Sequence, residues 1–315
     1  MKVFAPASIG NLSVGFDALG LALQTMDGSL LGDVVHLAAG SNDDWTLKVT
    51  GPFADALPTD PEENIVMASA RRFERLVRSA HGKEIETLNI HLEKRLPVSS
   101  GLGSSASSIV ATIVALNRFF GRPLDRPGLL NLMAEMEGAI SGDVHLDNIA
   151  PSLLGGLRLC MPDGAKQFGL PWPGGWRVLV AWPGTPMETR MARELLPDKL
   201  RRTTAVAHGA QFARFVHELY SGDPRDAASC LVDLIAEPWR RDLIPGFTEA
   251  RLALIGMGAL AVGISGSGAT IFAIVDDSRI AEQGEAWLND NFLRNERGFV
   301  QLCRADLAGA RAISN

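Results

Sequence analysis

Apolar and polar residues follow two different periods along the chain. Apolar residues alternate with polar ones over 87–92, which predicts a strand, and recur three or four positions apart over 109–120, which predicts a helix ending near Gly121. By the same criteria, further strands are expected at 3–4, 34–37, 45–49, 157–160, 177–181, 259–262, 271–275 and 299–302. Further helices are expected at 64–79, 127–140, 203–220, 224–236, 247–257 and from 278 onward. This order indicates an α+β fold, with 34–37 and 45–49 as strands of an antiparallel sheet.

The segment 162–176 is rich in proline, glycine and tryptophan and is the best candidate for a linker. We therefore predict two domains, 1–165 and 166–315, each long enough to enclose a core of its own. A polar loop is expected at 141–151, between the predicted helix 127–140 and the predicted strand 157–160.

The composition and net charge of the chain indicate which classes of binding partner are disfavoured. The chain has 315 residues and a net charge of −6, and no basic cluster compensates for that charge. Nucleic acid and anionic membranes are therefore disfavoured as main partners. The three cysteines are widely spaced, which fits neither a metal site nor a disulfide framework, and the N-terminal residues lack a long apolar segment. We expect a cytoplasmic protein without a membrane span.

The stretch Ser99–Ser108 (SSGLGSSASS) stands between the predicted strand 87–92 and the predicted helix 109–120. Glycines let a backbone approach a ligand closely, and the free N–H groups at the start of a helix attract anions. This arrangement is typical of a phosphate-binding loop, although a flexible turn before an ordinary helix would have the same local sequence. A second glycine-serine stretch, Gly263–Thr270, suggests a tight turn that contacts another backbone or a ligand.

The spacing within these stretches excludes several common types of site. Gly101–Ser108 lacks the lysine of a Walker loop, and Ala106 stands where a dinucleotide-binding fingerprint requires its third glycine. The sequence contains neither a nucleophile elbow with a plausible triad nor an HExxH zinc motif. Serine hydroxyls beside a glycine loop, combined with an acidic residue from another helix, do suit Mg²⁺.

Several polar residues elsewhere admit both a structural and a functional interpretation. Asn11 and Asp17 follow the first predicted strand and are typical turn-forming residues. Glu137 lies near the end of a predicted helix, where the helix dipole disfavours a carboxylate; a nearby cation or ligand is one explanation, and simple solvation is the other. His145 and Asn148 share the polar loop 141–151, where a structural role is as plausible for His145 as a functional one.

Three motifs in this order resemble those of the GHMP kinases, a family that includes galactokinase, homoserine kinase, mevalonate kinase and phosphomevalonate kinase. Pro97–Ala106 resembles the family's phosphate-binding motif, Gly263–Thr270 its C-terminal glycine motif and Ala5–Ala7 its N-terminal motif. Several further strings resemble the bacterial homoserine kinase branch: APASIGNLSVGFD (5–17), ENIV (63–66), HLDNIAP (145–151), EPWR (237–240) and LIPGF (243–247).

This resemblance implies roles for individual positions. It implies that Ser105 and Glu137 bind Mg²⁺ and that Asn64 lies near the adenine of ATP. Backbone contacts to the ATP phosphates are implied for one continuous stretch: Pro97, Val98, Ser99, Ser100, Gly101, Leu102, Gly103, Ser104, Ser105, Ala106 and Ser107. A substrate site is implied for Asn11, Asp17, His145, Asn148, Arg193 and Arg240. Asp17 suits an α-ammonium group, whereas the arginines suit a carboxylate, because a guanidinium binds it bidentately.

Asn148 departs from part of the family. Counted back from the Gly155–Gly156 pair, it occupies the position of the aspartate base of mevalonate kinases. An amide cannot act as a general base at neutral pH, and the adjacent Asp147 is expected to point elsewhere, as neighbouring loop residues normally do. We therefore hypothesise catalysis by positioning and charge neutralisation, which a loose phosphoryl-transfer transition state permits. The residues expected to act in this way are Asn148, Glu137, Ser105 and Arg193.

The fold implied by the resemblance is the two-domain GHMP kinase fold, with an N-terminal domain like the second domain of ribosomal protein S5 and a ferredoxin-like C-terminal domain. The implied activity is ATP- and Mg²⁺-dependent phosphorylation of L-homoserine, and a homodimer is possible. Two alternatives are a GHMP kinase for another small alcohol such as mevalonate, and a binding protein that kept the fold without the chemistry.

Overall fold

The computed structural model of the chain describes residues 1–40, 44–81, 86–141, 145–161 and 166–314. The strands within these ranges are β1 (Lys2–Pro6), β2 (Ser8–Gly10), β3 (Leu19–Thr25), β4 (Gly32–Ala39), β5 (Thr46–Thr50), β6 (Leu88–Glu93), β7 (Leu157–Cys160), β8 (Gln167–Leu170), β9 (Arg177–Trp182), β10 (Ala261–Ile264), β11 (Ile271–Val275), β12 (Phe299–Ala305) and β13 (Arg311–Ala312). The α-helices are α1 (Ile65–His81), α2 (Ser104–Phe119), α3 (Arg126–Ser141), α4 (Ile149–Leu154), α5 (Thr189–Glu194), α6 (Arg202–Ser221), α7 (Pro224–Ser229), α8 (Glu237–Arg240), α9 (Phe247–Met257) and α10 (Ser278–Asn291). Short 3₁₀ helices lie at Ala54–Ala56, Pro61–Glu63 and Arg241–Leu243.

A five-stranded sheet with the order β13-β1-β4-β6-β5 lies against α1 and α2. Alternate residues of β4 and β6, such as Val35 and Ile90, are buried against apolar residues of the helices, such as Phe73 and Ile109. β5 runs parallel to β6, so the expectation of an antiparallel pairing is wrong for this strand. The reason is topological: α1 lies between β5 and β6 in the chain, and a helical crossover returns the chain in the same direction.

The second sheet follows the order β10-β11-β9-β12-β3-β7-β8, and β2 pairs with β3. Part of this sheet belongs to a ferredoxin-like unit with the chain order βαββαβ. Its strands are β9, β10, β11 and β12, and its two helices are α9 and α10. These helices cover one face of the unit, where Leu254 and Leu288 pack with Leu179, while Phe215 of α6 packs on the other face with Val180. The expected α+β fold is therefore confirmed.

α2 is the most deeply enclosed helix among the described elements. Thirteen of its sixteen residues, Ser104–Asn117 apart from Ser105, are buried. It contacts β1 and β4 on one side and α1, α3 and α4 on the others. The predicted helix 109–120 is confirmed, and Gly121 follows its end with a positive φ of 78°. The burial holds the start of α2 in place, immediately after the predicted phosphate loop.

Some elements differ from the predictions for identifiable reasons. The predicted helix 224–236 ends at Ser229, because the Asp233 carboxylate accepts hydrogen bonds from the N–H groups of 235–237 and forms a turn instead. The predicted linker contains β8, and its rings Trp172 and Trp176 pack edge to face at 4.9 Å. The predicted loop 141–151 contains the start of α4, and its residues 142–144 lie outside the described ranges.

The domain boundary at 165/166 stays a prediction, since residues 162–165 lie outside the described ranges. β12 pairs with β9 on one side and with β3 on the other, so hydrogen bonds join strands from both sides of this boundary. β3 was not predicted, although its leucines alternate with smaller or polar residues in the sequence; all of its residues except Gln24 are buried. None of the described helices is both long enough and apolar enough to cross a membrane.

Phe215 is the one buried residue of α6. We expect Phe215→Ala to lower the free energy of unfolding by about 3–5 kcal/mol, since a large ring is removed from a closed core. Tyr220 lies on the same helix and is 65% exposed; Tyr220→Ala should change the free energy by less than about 0.5 kcal/mol. Urea denaturation measures both variants, and equal effects would contradict the assignment of Phe215 as the anchor of α6.

Candidate active site

A cavity of about 340 Å³ lies at the start of α2 and brings together residues from distant parts of the chain. The predicted site residues that line it are Asn11, Asp17, Val98, Ser99, Ser100, Gly101, Gly103, Ser104, Ser105, Glu137, His145, Asn148, Arg193 and Arg240. Further lining residues that the sequence analysis did not select include Lys94, Asp147, Thr189 and Ser267.

The glycine-serine loop turns sharply before α2 begins. Ser99, Gly101 and Gly103 have φ values of 55°, 85° and 63°, so every second residue adopts a left-handed conformation. Gly103 is the N-cap residue, and among the described residues no side chain caps the helix at this position. The first N–H groups of α2 are therefore left for a ligand, and the positive end of the helix dipole favours an anion.

The second glycine-serine stretch packs directly on the first. The Ser265 hydroxyl donates to the Gly101 carbonyl oxygen at 2.6 Å, and the Thr270 N–H donates to the Ser100 carbonyl oxygen at 3.0 Å. The Gly266 N–H donates to the Gly10 carbonyl oxygen at 3.0 Å, so the N-terminal string 5–17 joins the same contact. The predicted contact of Gly263–Thr270 with another backbone is confirmed.

Ser105 and Glu137 meet beside this loop. The Ser105 hydroxyl donates to Glu137 Oε1 at 3.0 Å, so the first turn of α2 reaches the carboxylate that the sequence places awkwardly near the end of α3. Although Glu137 as a residue is half-buried, Oε2 is withdrawn from water. This desolvation raises the pKa of Glu137 to about 7, and the Ser105 hydrogen bond offsets only part of the rise. A cation at this point would restore the charged form.

Lys94 and Asp33 form a buried ion pair beneath the loop, which the sequence analysis missed. Lys94 Nζ lies 2.5 Å from Asp33 Oδ2 and also donates to the Ser104 carbonyl oxygen at 3.1 Å and to the Ser108 hydroxyl at 3.0 Å. The other carboxylate oxygen accepts the N–H groups of Arg95 and Leu96. Each charge is thus paired and hydrogen-bonded, as burial requires. In the sequence, Lys94 follows a strand and precedes an arginine, which is typical of an exposed strand end.

Opposite charges meet on the substrate side of the predicted site. Arg193 Nη1 and Nη2 donate to the two carboxylate oxygens of Asp17 at 3.0 and 3.1 Å. His145 Nδ1 lies 3.7 Å from Asp17 Oδ1. The Asn11 side chain accepts the Asp17 N–H at 2.8 Å and donates to the Gly266 carbonyl oxygen at 3.2 Å, so it fixes the turn that presents Asp17.

Arg240 is a buried guanidinium at the edge of the same cavity. Its Nη1 donates to the Gly266 carbonyl oxygen at 3.1 Å and its Nε to the Ala192 carbonyl oxygen at 3.0 Å. Its charge also lies 5.8 Å from the centre of the Phe16 ring. Burial lowers the pKa of Arg240 below its usual value, as expected for a cation bonded mainly to neutral oxygens.

Asn148 and Asp147 both line the cavity, so the expectation that Asp147 points elsewhere is wrong. Asn148 is the N-cap residue of α4 and has helical dihedral angles, and successive side chains at a helix start diverge by about 100° rather than 180°. The Ser8 hydroxyl donates to Asn148 Oδ1 at 2.8 Å. Desolvation, followed by the negative charges of Asp17 and Glu137, raises the pKa of Asp147 to about 7.

Five of the residues assigned to nucleotide binding do not line the cavity: Asn64, Pro97, Leu102, Ala106 and Ser107. Asn64 is buried, and its side-chain oxygen accepts the Val66 N–H, so it caps the start of α1. The Ser107 hydroxyl donates to the Ala5 carbonyl oxygen, and its N–H donates to the Gly103 carbonyl oxygen within the helix. These two residues are therefore occupied with structural contacts.

Gly101 has a positive φ, and a Cβ atom added to it would lie 2.3 Å from the Ser265 carbonyl oxygen. Gly121 has a similar φ, but nothing lies within 4 Å of an added Cβ. We expect Gly121→Ala to cost about 1–2 kcal/mol through the backbone alone. Gly101→Ala should cost about 2 kcal/mol more, because the two glycine-serine stretches must separate. Chemical denaturation compares the two variants, and equal costs would show that the close contact is unimportant.

Two family models and several solved structures match this chain. The family model "GHMP kinases N terminal domain" matches residues 64–156, and the model "GHMP kinases C terminal" matches residues 215–292. The crystal structure of a homoserine kinase from Cytophaga hutchinsonii is 32% identical, with a TM-score of 0.88 over 99% of this chain and 97% of that chain.

Two more distant structures share the fold. A Listeria monocytogenes protein provisionally named a homoserine kinase is 23% identical, with a TM-score of 0.72 over 100% of this chain and 99% of that one. The mevalonate kinase of Methanococcus jannaschii is 12% identical, with a TM-score of 0.72 over 96% of this chain and 98% of that one. The family models and the Cytophaga structure together show that the chain belongs to the GHMP kinase family.

Proposed function

We propose that this chain is a homoserine kinase, which transfers the γ-phosphoryl group of ATP to the side-chain hydroxyl of L-homoserine and forms O-phospho-L-homoserine for threonine biosynthesis. The observation that carries the proposal is that one cavity holds both the uncapped start of α2 and the pair Asp17–Arg193. The start of α2 can bind the phosphate chain of ATP, and the pair Asp17–Arg193 can bind the two charges of a zwitterion. The 32% identity to a homoserine kinase over almost the whole chain supports the same assignment.

The residues beside α2 fit ATP and Mg²⁺. Mg²⁺ takes one or two protein oxygen ligands and completes its shell with phosphate oxygens and water. The Ser105 hydroxyl and the Glu137 carboxylate are such ligands; they already lie within hydrogen-bond distance of each other, and desolvation raises the pKa of Glu137 to about 7, which a bound cation would counteract. We propose that these two residues hold Mg²⁺, which when bound neutralises charge on the phosphates. The N–H groups between Ser99 and Ser105 would bind the phosphates themselves, and the predicted position of the adenine near Asn64 stays a prediction.

The substrate-side residues fit an amino acid that carries a hydroxyl. We propose that Asp17 binds the α-ammonium group and that Arg193 and Arg240 bind the α-carboxylate. His145 and Asn11 support Asp17, the former from 3.7 Å and the latter through its hydrogen bond to the Asp17 N–H.

Asn148 would orient the reacting hydroxyl. Because Ser8 donates to Asn148 Oδ1, the Nδ2 group of this amide is the end that would donate to the substrate hydroxyl. Arg193 contributes positive charge on the substrate side, whereas Lys94, whose charge is balanced by Asp33, holds the loop through the Ser104 carbonyl oxygen. We propose that these groups align the hydroxyl with the phosphate and neutralise the charge that develops, while the hydroxyl proton leaves late in the reaction.

Two other functions are weighed against this one. A kinase for mevalonate would leave Asp17 without an ammonium partner, and the likeness to mevalonate kinases, at 12% identity, extends to the fold alone. A binding protein without catalysis is disfavoured by the contact between Ser105 and Glu137 beside an uncapped helix. A cytoplasmic location and a homodimer stay predictions; the three cysteines are buried and unpaired, which is compatible with a reducing compartment.

A coupled assay of ADP release distinguishes these functions. We expect ATP-dependent release with L-homoserine and Mg²⁺, and at most about a hundredth of that rate with mevalonate or without an acceptor, because only homoserine satisfies both Asp17 and Arg193. Mass spectrometry of the product should show O-phosphohomoserine. Release with mevalonate alone would overturn the assignment, and no release with any alcohol would favour a binding protein.

Asp147→Asn tests the role of the second carboxyl group in the cavity. If catalysis rests on positioning, kcat should fall by less than about tenfold, whereas loss of a general base costs about 10²–10⁴-fold. The variant keeps a side-chain oxygen that can still accept the Asn11 N–H, so the turn at Asn11 should survive. A fall of 10²-fold or more, together with loss of the pH dependence of kcat near pH 7, would identify Asp147 as the base and contradict the positioning mechanism.

A further inference from the structure

Asp17 and Arg193 are assigned to opposite ends of the substrate, yet in this structure they bind each other. The pair is bidentate, with N–O distances of 3.0 and 3.1 Å, and the two side chains are only 26% and 28% exposed. A planar guanidinium facing both oxygens of a carboxylate is the strongest geometry for such a pair. The ion pair therefore occupies the charges that an incoming amino acid needs.

Asp17 is held by a rigid turn. It has a positive φ of 54°, and its N–H is bound by the Asn11 side chain, which is itself anchored to Gly266. Because the backbone of Asp17 is fixed in this way, its carboxylate stays in the cavity whether or not Arg193 is present.

Arg193 comes from α5, a short helix on the surface. Three contacts tie this segment down: the Met187 N–H donates to the Ser99 carbonyl oxygen at 2.7 Å, Arg240 donates to the Ala192 carbonyl oxygen, and the hydroxyls of Thr189 and Ser267 lie 3.3 Å apart. Four of the six residues of α5 are exposed, and Ala192 is its one buried residue. The guanidinium can thus reorient at little cost in core packing, while the segment stays attached to the phosphate loop.

We propose that the Asp17–Arg193 pair is an internal substitute for the substrate's two charges, and that an amino acid binds by ion-pair exchange. This inference rests on the proposed function. The α-ammonium group replaces Arg193 on Asp17, and the α-carboxylate replaces Asp17 on Arg193, so both protein charges are paired before and after binding. No covalent bond changes in this step.

Ion-pair exchange selects for zwitterions. An alcohol that carries only a carboxylate displaces Asp17 from Arg193 without supplying Asp17 with a replacement cation, whereas an alcohol that carries only an ammonium group displaces Arg193 from Asp17 without supplying Arg193 with a replacement carboxylate. Loss of a bidentate ion pair at a partly buried position is costly, so each truncated ligand binds more weakly than its one missing contact would suggest. The same argument rejects mevalonate, whose only charge is its carboxylate.

The proposal makes an unusual prediction for ligand binding. Asp17→Asn removes the internal competitor for Arg193, so 4-hydroxybutyrate, which is homoserine without its ammonium group, should bind about tenfold more tightly to this variant than to the unaltered protein, while L-homoserine binds more weakly. In the mirror experiment, Arg193→Gln frees Asp17, and 3-amino-1-propanol should bind about tenfold more tightly. Ligand-observed NMR titration of the full chain gives these dissociation constants without requiring turnover.

Glu63→Gln is the matched control, because Glu63 also lines the cavity but makes no contact with Arg193 among the described ion pairs. It should leave all three affinities within about twofold, which separates exchange from a general loss of negative charge. Thermal unfolding of each variant shows that it is folded. If the unaltered protein binds L-homoserine but neither truncated ligand gains affinity in its variant, exchange is wrong. If the unaltered protein binds no L-homoserine and releases no ADP with it, the proposed function is wrong instead.

Discussion

Close contact between two glycine-serine stretches is the constraint on which the site depends. Gly101 and Ser265 approach until no Cβ atom fits between them, and hydrogen bonds from Ser265 and Thr270 to the first stretch fix the geometry. This contact joins the start of α2, which belongs to one sheet and its helices, to a hairpin of the ferredoxin-like unit. The cavity lies where these two parts of the chain meet, and both parts contribute residues to its walls.

The charged groups around the cavity differ in how far hydrogen bonds and ion pairs compensate for their loss of contact with water. Lys94 and Asp33 are completely buried, and they are stable there because each makes several further hydrogen bonds. Glu137 and Asp147 receive less compensation, and desolvation raises the pKa of both to about 7. Carboxyl groups whose pKa is raised by desolvation inside a cavity are typical of functional sites. Asp17, by contrast, already has a cation in Arg193.

Much of the fold could be predicted from the sequence where an element has a clear apolar period or consists of one short apolar run. α9 has the predicted bounds, and α2 and β6 differ by a few residues, because their apolar positions recur at a helix or strand period. β11 also has the predicted bounds, because its five residues form one continuous apolar run, as in a fully buried strand. β3 was missed although its leucines alternate along the strand, and the direction of β5 was wrong because pairing depends on the crossover through α1. Residues 230–236 kept an apolar pattern, but the Asp233 side chain captured the N–H groups that a helix would have used.

By itself, the sequence determined the site's local parts: the glycines that permit positive φ, the hydroxyl of Ser105, the carboxylate of Glu137 and the opposite charges of Asp17 and Arg193. These features depend on residue type and on spacing over a few positions, and both can be read directly from the sequence. Only the tertiary structure decided that Lys94 lies beneath the loop, that Asp147 faces the cavity, that Asn64 caps a helix and that Asp17 binds Arg193. The physical reason is that burial, pKa and ion pairing depend on groups far away in the chain, and 176 positions separate Asp17 from the guanidinium that it binds.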